Sequence, residues 1–221
     1  MLLGLGEEQM YRRRERIGVG WAGTLYSGED ANGRAVRLIP LKHCAVALRE
    51  EIRDRHNLLT SRFVPRALPS LGIHVIDEIP YWIGGWRNGV PLTVVLAEHR
   101  LPPKLIMAIG QQIAVALFEA LQVGVVHGDL HPSAIWLASN GEVWIDGFGR
   151  QSSSSPPLRT SPLAYVAPDG SASSANDVYS LGAILLQLFV GSEPPPAELS
   201  EREHQEMYYR LRLGIRIDGS I

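Results

Sequence analysis

A single cysteine, Cys44, stands among 221 residues. One thiol excludes an internal disulfide, and its neighbours His43, Ala45 and Val46 form no catalytic Cys/His signature. A reducing compartment suits such a chain, and a cytoplasmic location is the expectation. Charge of one sign is equally scarce, with 21 Lys and Arg against 23 Asp and Glu and a formal net charge of -2. That balance gives no global attraction to nucleic acid, and none is expected as a partner. No apolar run reaches the ~18 residues of a membrane span, and the start from Met1 to Gly6 is too short for a signal peptide. Membrane insertion is not expected.

What the chain has is enough apolar material, 45% of its residues, to bury one good core or two small lobes. The local cluster Arg12, Arg13, Arg14 and Arg16 reads as a solvated edge, because short charge runs usually mark solvated faces. Leu181 to Val190 is apolar on most sides, and about ten residues suit a buried core helix rather than a bilayer.

The first third carries strand signals: Ile17 to Gly23, Thr24 to Ser27, a turn at Asp30 to Gly33 containing Asn32-Gly33, then Ala35 to Ile39. Cys44 to Leu59 has near-helical apolar spacing, and Val64-Pro65 ends that helix. Two more strands are expected near Leu71 to Asp77 and Tyr81 to Trp86, before a boundary in the Gly- and Pro-containing stretch Gly84 to Pro91. Pro103 to Val123 predicts a mostly buried helix with Leu105, Ile109, Ile113, Ala116, Leu117 and Ala120 on one face. A second hairpin is expected from Ile135-Trp136-Leu137 and Val143-Trp144-Ile145 around Asn140-Gly141. The four-serine stretch in Gln151 to Pro157 is low-complexity, Asp177 to Val190 returns to an apolar helix, and Pro194-Pro195-Pro196 stops it before a charged tail.

Four motifs then fall in a meaningful order: Gly18-Val19-Gly20-Trp21-Ala22-Gly23, His127-Gly128-Asp129-Leu130-His131-Pro132-Ser133-Ala134-Ile135, Thr160 to Asp169 with Tyr165 and Ala167-Pro168, and Asp177-Val178-Tyr179-Ser180-Leu181-Gly182. On these the chain, from about Tyr11 to Val190, resembles bacterial Ser/Thr protein kinases within the protein kinase-like superfamily. The resemblance implies an α+β, bilobal fold: a β-rich N-lobe at 11-87, a truncated and mainly helical C-lobe core at 88-190, and a charged tail at 191-221. It also implies a glycine-rich loop whose Gly18, Gly20 and Gly23 let backbone N-H groups approach phosphates. Arg37 stands at the place of the ATP-binding lysine, and Glu51, less readily Glu50, at that of its acidic partner. A surviving ion pair and an exposed Arg with a solvated Glu are both open, and Lys42 is a substitute donor.

The departures are as informative as the matches. In the family pattern H-R-D-L-K-P-x-N-I the Asp takes the substrate's proton, the Lys steadies the phosphoryl group and the Asn holds magnesium. Here Asp129 persists, with Gly128 for the Arg, His131 for the Lys and Ala134 for the Asn. Alanine has no oxygen to offer a hard cation. Strand parity through Val143, Trp144 and Ile145 places Gly147 at the magnesium-binding Asp of D-F-G. A register shorter by one residue would give that place to Asp146. Gly84 and Gly85 fall where the family has its gatekeeper and first hinge residue, which implies an open adenine pocket unless Trp86 fills it. Together these changes point to a pseudokinase that acts through a protein partner, with ATP an open ligand and magnesium disfavoured. The alternative is an active phosphotransferase, of protein or of a small molecule, using Asp129 as base, Arg37 on phosphate and Asp146 on metal.

Overall fold

A computed structural model describes residues 10-20, 23-42, 46-149, 163-168 and 172-193. The turn residues Trp21 and Ala22, Cys44, the serine stretch, Thr160, Asp169 and the tail from Pro194 lie outside the described residues. The architecture is α+β and bilobal, as the motif resemblance implies. Strands β1 (Tyr11–Gly20), β2 (Gly23–Asp30), β3 (Ala35–Pro40), β4 (Ser70–Ile76) and β5 (Ile79–Gly85) form an antiparallel sheet in the order β1-β2-β3-β5-β4. A single helix, α1 (Val46–Ser61), joins β3 to β4. The second lobe holds a small sheet of β6 (Gly89–Pro91), β7 (Ile135–Ala138) and β8 (Val143–Ile145) with helices α2 (Leu92–Glu98), α3 (Pro103–Gln122) and α4 (Ser174–Val190).

Local chemistry accounts for most of these boundaries. The Asp30 carboxylate accepts from the N-H groups of Asn32 at 2.9 Å and Arg34 at 2.8 Å, closing the β2-β3 turn over Gly33. Pro102 and Pro103 open α3, where a missing N-H costs nothing. Ser173 caps α4 by accepting from Asn176 N-H at 3.2 Å, and Gly191 ends that helix at φ 79°. The basic cluster lies along β1, an edge strand, with Arg14 paired to Glu29 at 2.8 Å and Arg13 donating to Tyr81 Oη at 3.0 Å. The side chains of Arg12, Arg13, Arg14 and Arg16 are exposed, as a solvated edge requires.

Alternation splits the five-stranded sheet into two faces. Val36 and Leu38 join Ile76, Tyr81 and Ile83 in an outer cluster. Leu25, Ile39, Leu41 and Trp82 join Ile52 of α1 on the inner face. The helical lobe has its own core around Ile109, Ile113, Ile135, Phe148 and Ile184.

The helix at Pro103–Gln122 departs from the sequence expectation. Its buried line runs through Ile106, Ile109, Gly110, Ile113, Ala116 and Ala120. Leu105, Met107, Val115, Phe118 and Leu121 are exposed. Apolar residues surround more of this helix than its packing uses, so periodicity alone overstated its burial. The short helix α2 carried no recognisable signal, because Thr93, Val94 and Val95 are β-branched and favour strand.

Candidate functional site

The site is assembled where the two sheets meet. β3 carries Arg37 on its inward face, and the chain leaving β8 carries Asp146 toward it. The Arg37 side chain is fully buried. Its Nη1 donates to Asp146 Oδ2, and its Nε donates to the Gly85 carbonyl at 2.8 Å. The guanidinium lies 5.2 Å from the Trp82 ring and 5.1 Å from the Trp136 ring, in reach of cation-π attraction to both. Nη2 is buried and has no hydrogen-bond partner among the described residues.

Glu51 is not the partner of Arg37. It pairs with Arg55 one turn along α1, at 2.7 Å, and Arg55 also donates to the Gly147 carbonyl at 3.2 Å. Arg37 instead takes the Asp146 carboxylate from the other lobe and the Gly85 carbonyl of the neighbouring strand β5. Lys42 is exposed beyond the end of β3 and takes no place in this group.

The loop from His127 to Ile135 is held from three sides. Asp177 of α4 accepts from the backbone N-H groups of His127 at 2.8 Å and Gly128 at 2.7 Å. Burial pushes the Asp177 carboxyl up to about 6, while these two hydrogen bonds pull it down. The His127 ring donates through Nε2 to the Asp146 carbonyl at 2.7 Å and accepts at Nδ1 from Asp129 N-H at 3.2 Å, which fixes its neutral tautomer. The Phe148 ring stands edge-on to it at 5.1 Å. Burial lowers the His127 imidazole to about 3 and the His131 imidazole to about 4. His131 Nδ1 lies 2.7 Å from Ser133 Oγ.

Asp129 is buried in this loop beside His127 and His131. Ala134 is fully buried; its carbonyl accepts from Asp146 N-H at 2.8 Å and its own N-H donates to the His131 carbonyl at 2.9 Å. Gly147 N-H donates to Asp146 Oδ1 at 3.0 Å. Burial pushes the Asp146 carboxyl up, against the charge and hydrogen bond of Arg37. Among the described residues no group of three His, Cys, Asp or Glu could hold a metal ion. Strand parity favoured Gly147 for the second ligand position, but it is the Asp146 side chain that faces Arg37, and its carboxylate is committed to that cation; with only a methyl group at Ala134, the site does not fit magnesium as the resemblance would have it.

The glycine-rich strands lie close over this group. A Cβ built on Gly20 would meet Ile39 Cδ1 at 3.0 Å and Leu25 Cδ1 at 3.3 Å, and one on Gly18 would meet Val94 Cγ2 of α2 at 3.9 Å. Gly23 has nothing within 4 Å of that position. The pocket expected to open at Gly84 is filled. A Cβ there would fall 2.3 Å from Trp82 Cη2 and 2.7 Å from Arg37 Nη2. Trp82 and Arg37 use the space a side chain would have taken, and Trp86 stands at the rim, edge-on to Trp136 at 6.1 Å. Sequence reasoning missed Trp82 and Trp136, because alternation gives the face of a strand and not the residue met across the cleft.

No family model matches the chain. Curated proteins do. It is 26% identical over 207 residues to the serine/threonine-protein kinase PknL of Mycobacterium tuberculosis, covering 85% of this chain and 51% of that protein. It is 27% identical over 201 residues to PknE of the same species, covering 83% of this chain and 35% of that kinase. RUNKEL of Arabidopsis thaliana, also a serine/threonine-protein kinase, matches at 25% over 201 residues, with 83% of this chain and 14% of RUNKEL covered. The chain thus spans about half the length of PknL and less of the others. In its α+β bilobal fold, in the loop anchored by Asp177 and in a sequence likeness that runs through most of its length, the chain is similar to the serine/threonine protein kinases of the protein kinase-like superfamily.

Proposed function

We propose that the chain is a pseudokinase domain, which regulates by binding a protein partner and transfers no phosphate. One observation carries this reading: the cation at the phosphate-binding place, Arg37, is neutralised by the chain's own Asp146. Phosphoryl transfer depends on positioned charge. Here the charge of Arg37 is spent internally, Ala134 offers no oxygen to a metal, and Asp146, the carboxylate facing the site, is paired with Arg37. Each ~1.4 kcal/mol lost from transition-state stabilisation is a factor of ten in rate.

Protein binding is supported by the outward side of α3. Met107, Phe118 and Leu121 are exposed there, and only Lys104 and Glu119 bring charge to the whole helix. An uncharged apolar strip of this kind suits a protein surface. The competing reading, an active phosphotransferase with Arg37 on phosphate and Asp146 on metal, requires those two residues to part.

The test is phosphate transfer from labelled ATP, with magnesium or manganese, to generic protein substrates and to small amino and hydroxyl acceptors. The native protein and Asp129→Asn are expected to be equally inactive. Metal-dependent transfer that is lost in Asp129→Asn would overturn the proposal.

A further inference from the structure

In a bilobal fold with a ligand between its lobes, the lobes meet through the ligand. Here they meet through side chains. The apolar cluster on the inner sheet face, with Leu25, Ile39, Leu41 and Trp82, continues without interruption into Ala134 and Trp136 of the second lobe. Trp136 is 2% exposed and is the largest of the fully buried side chains. Its ring carries the Arg37 guanidinium on one side and the edge of Trp86 on another. A second link crosses the same boundary, since Arg37 belongs to the five-stranded sheet and Asp146 follows β8 of the smaller one.

A purine nucleotide offers two features to a site, a flat bicyclic ring and anionic oxygens. Trp136 supplies a flat bicyclic ring, and Asp146 supplies anionic oxygens to the cation. We infer that Trp136 and Asp146 form an internal plug that takes the nucleotide's place and holds the lobes closed without any ligand. The inference deepens the pseudokinase reading and rests on the same architecture.

Three details support it. A Cβ at Gly84 would collide with Trp82 and with Arg37, the cation to which Asp146 and Trp136 are both joined. Two guanidinium nitrogens are already committed, Nη1 to Asp146 and Nε to the Gly85 carbonyl, and the group lies about equally far from the rings of Trp82 and Trp136, at 5.2 and 5.1 Å. The strand bearing Gly18 and Gly20 rests on Val94, Leu25 and Ile39. A phosphate would have to displace a buried carboxylate, and a base would have to displace a buried indole.

The experiment follows thermal unfolding and native-state hydrogen exchange of the full chain, alone and with millimolar ATP, with and without magnesium. The native protein is expected to unfold in one transition whose midpoint ATP does not move, because a ligand that binds only the folded state would raise it. A midpoint raised by ATP overturns the plug. Trp136→Ala is expected to separate the unfolding into two transitions, and a folded Trp136→Ala variant with one transition overturns its coupling role. Where that variant does not fold, Asp146→Asn tests the inference with volume conserved. Amide protection in β3 and β8 is expected to fall together by at least about tenfold, since removing one partner of a buried pair leaves the other uncompensated. Unchanged protection overturns the plug. ATP binding without phosphate transfer overturns the plug and leaves the pseudokinase reading standing, whereas phosphate transfer overturns both.

Discussion

Arg37 and Asp146, 109 residues apart in sequence, form a buried ion pair that joins β3 of one lobe to the end of β8 in the other. Both side chains are removed from water, so their attraction works against a desolvation cost that grows with burial. Such a pair contributes little by itself to stability. Its loss on one side is costly, because the remaining charge stays buried without compensation.

Arg37→Met is therefore expected to destabilise the protein by about 3-5 kcal/mol. The double variant Arg37→Met with Asp146→Leu is expected to lose less than the single one, since no buried charge is left behind. Urea denaturation of the native protein, both single variants and the double variant checks this. Additive losses would contradict it.

Glycine substitutions should divide by what surrounds them. Gly84→Ala places a methyl group against Trp82 and Arg37 and is expected to cost about 1-3 kcal/mol through overpacking. Gly182→Ala in α4 meets no atom within 4 Å and is expected to stabilise by about 0.5-1 kcal/mol through helix propensity. Denaturation midpoints of the two variants should move in opposite directions.

Acid should weaken the fold partly through His131. Its imidazole titrates near 6.5 when free and is held down to about 4 by burial. Between these values the unfolded chain binds a proton that the folded chain does not, so this contribution to stability is lost as pH falls from about 6.5 toward 4. His127 acts in the same sense toward about 3, and Asp177, raised to about 6, acts in the opposite one. Comparison with His131→Asn isolates the single group. The native protein should lose about 1-2 kcal/mol more than the variant between pH 6.5 and 5, measured by urea unfolding at each pH.

The sequence was most legible where local rules decide. Asp30 to Gly33 and Asn140-Gly141 name their turns, Pro102-Pro103 opens α3, and Asp177-Val178-Tyr179-Ser180 announces a helix whose Asp holds the loop at His127. These depend on a few adjacent residues. The partner of Arg37 was not legible, because two acids of α1 and one beyond β8 were all in range, and only the packed geometry selects Asp146. Gly84 misled for a related reason. A missing side chain reads as a vacancy in sequence, and in the fold that space belongs to Trp82 and Arg37.

The measurement that bears most directly on an internally committed Arg37 is nuclear magnetic resonance of its Nε proton, with and without ATP and magnesium. A proton buried against the Gly85 carbonyl and beside Asp146 should exchange slowly with water and keep its chemical shift when ATP is added. A signal that exchanges rapidly, or moves on titration with ATP, would show that Arg37 is available to phosphate and would contradict a domain plugged by its own Trp136 and Asp146.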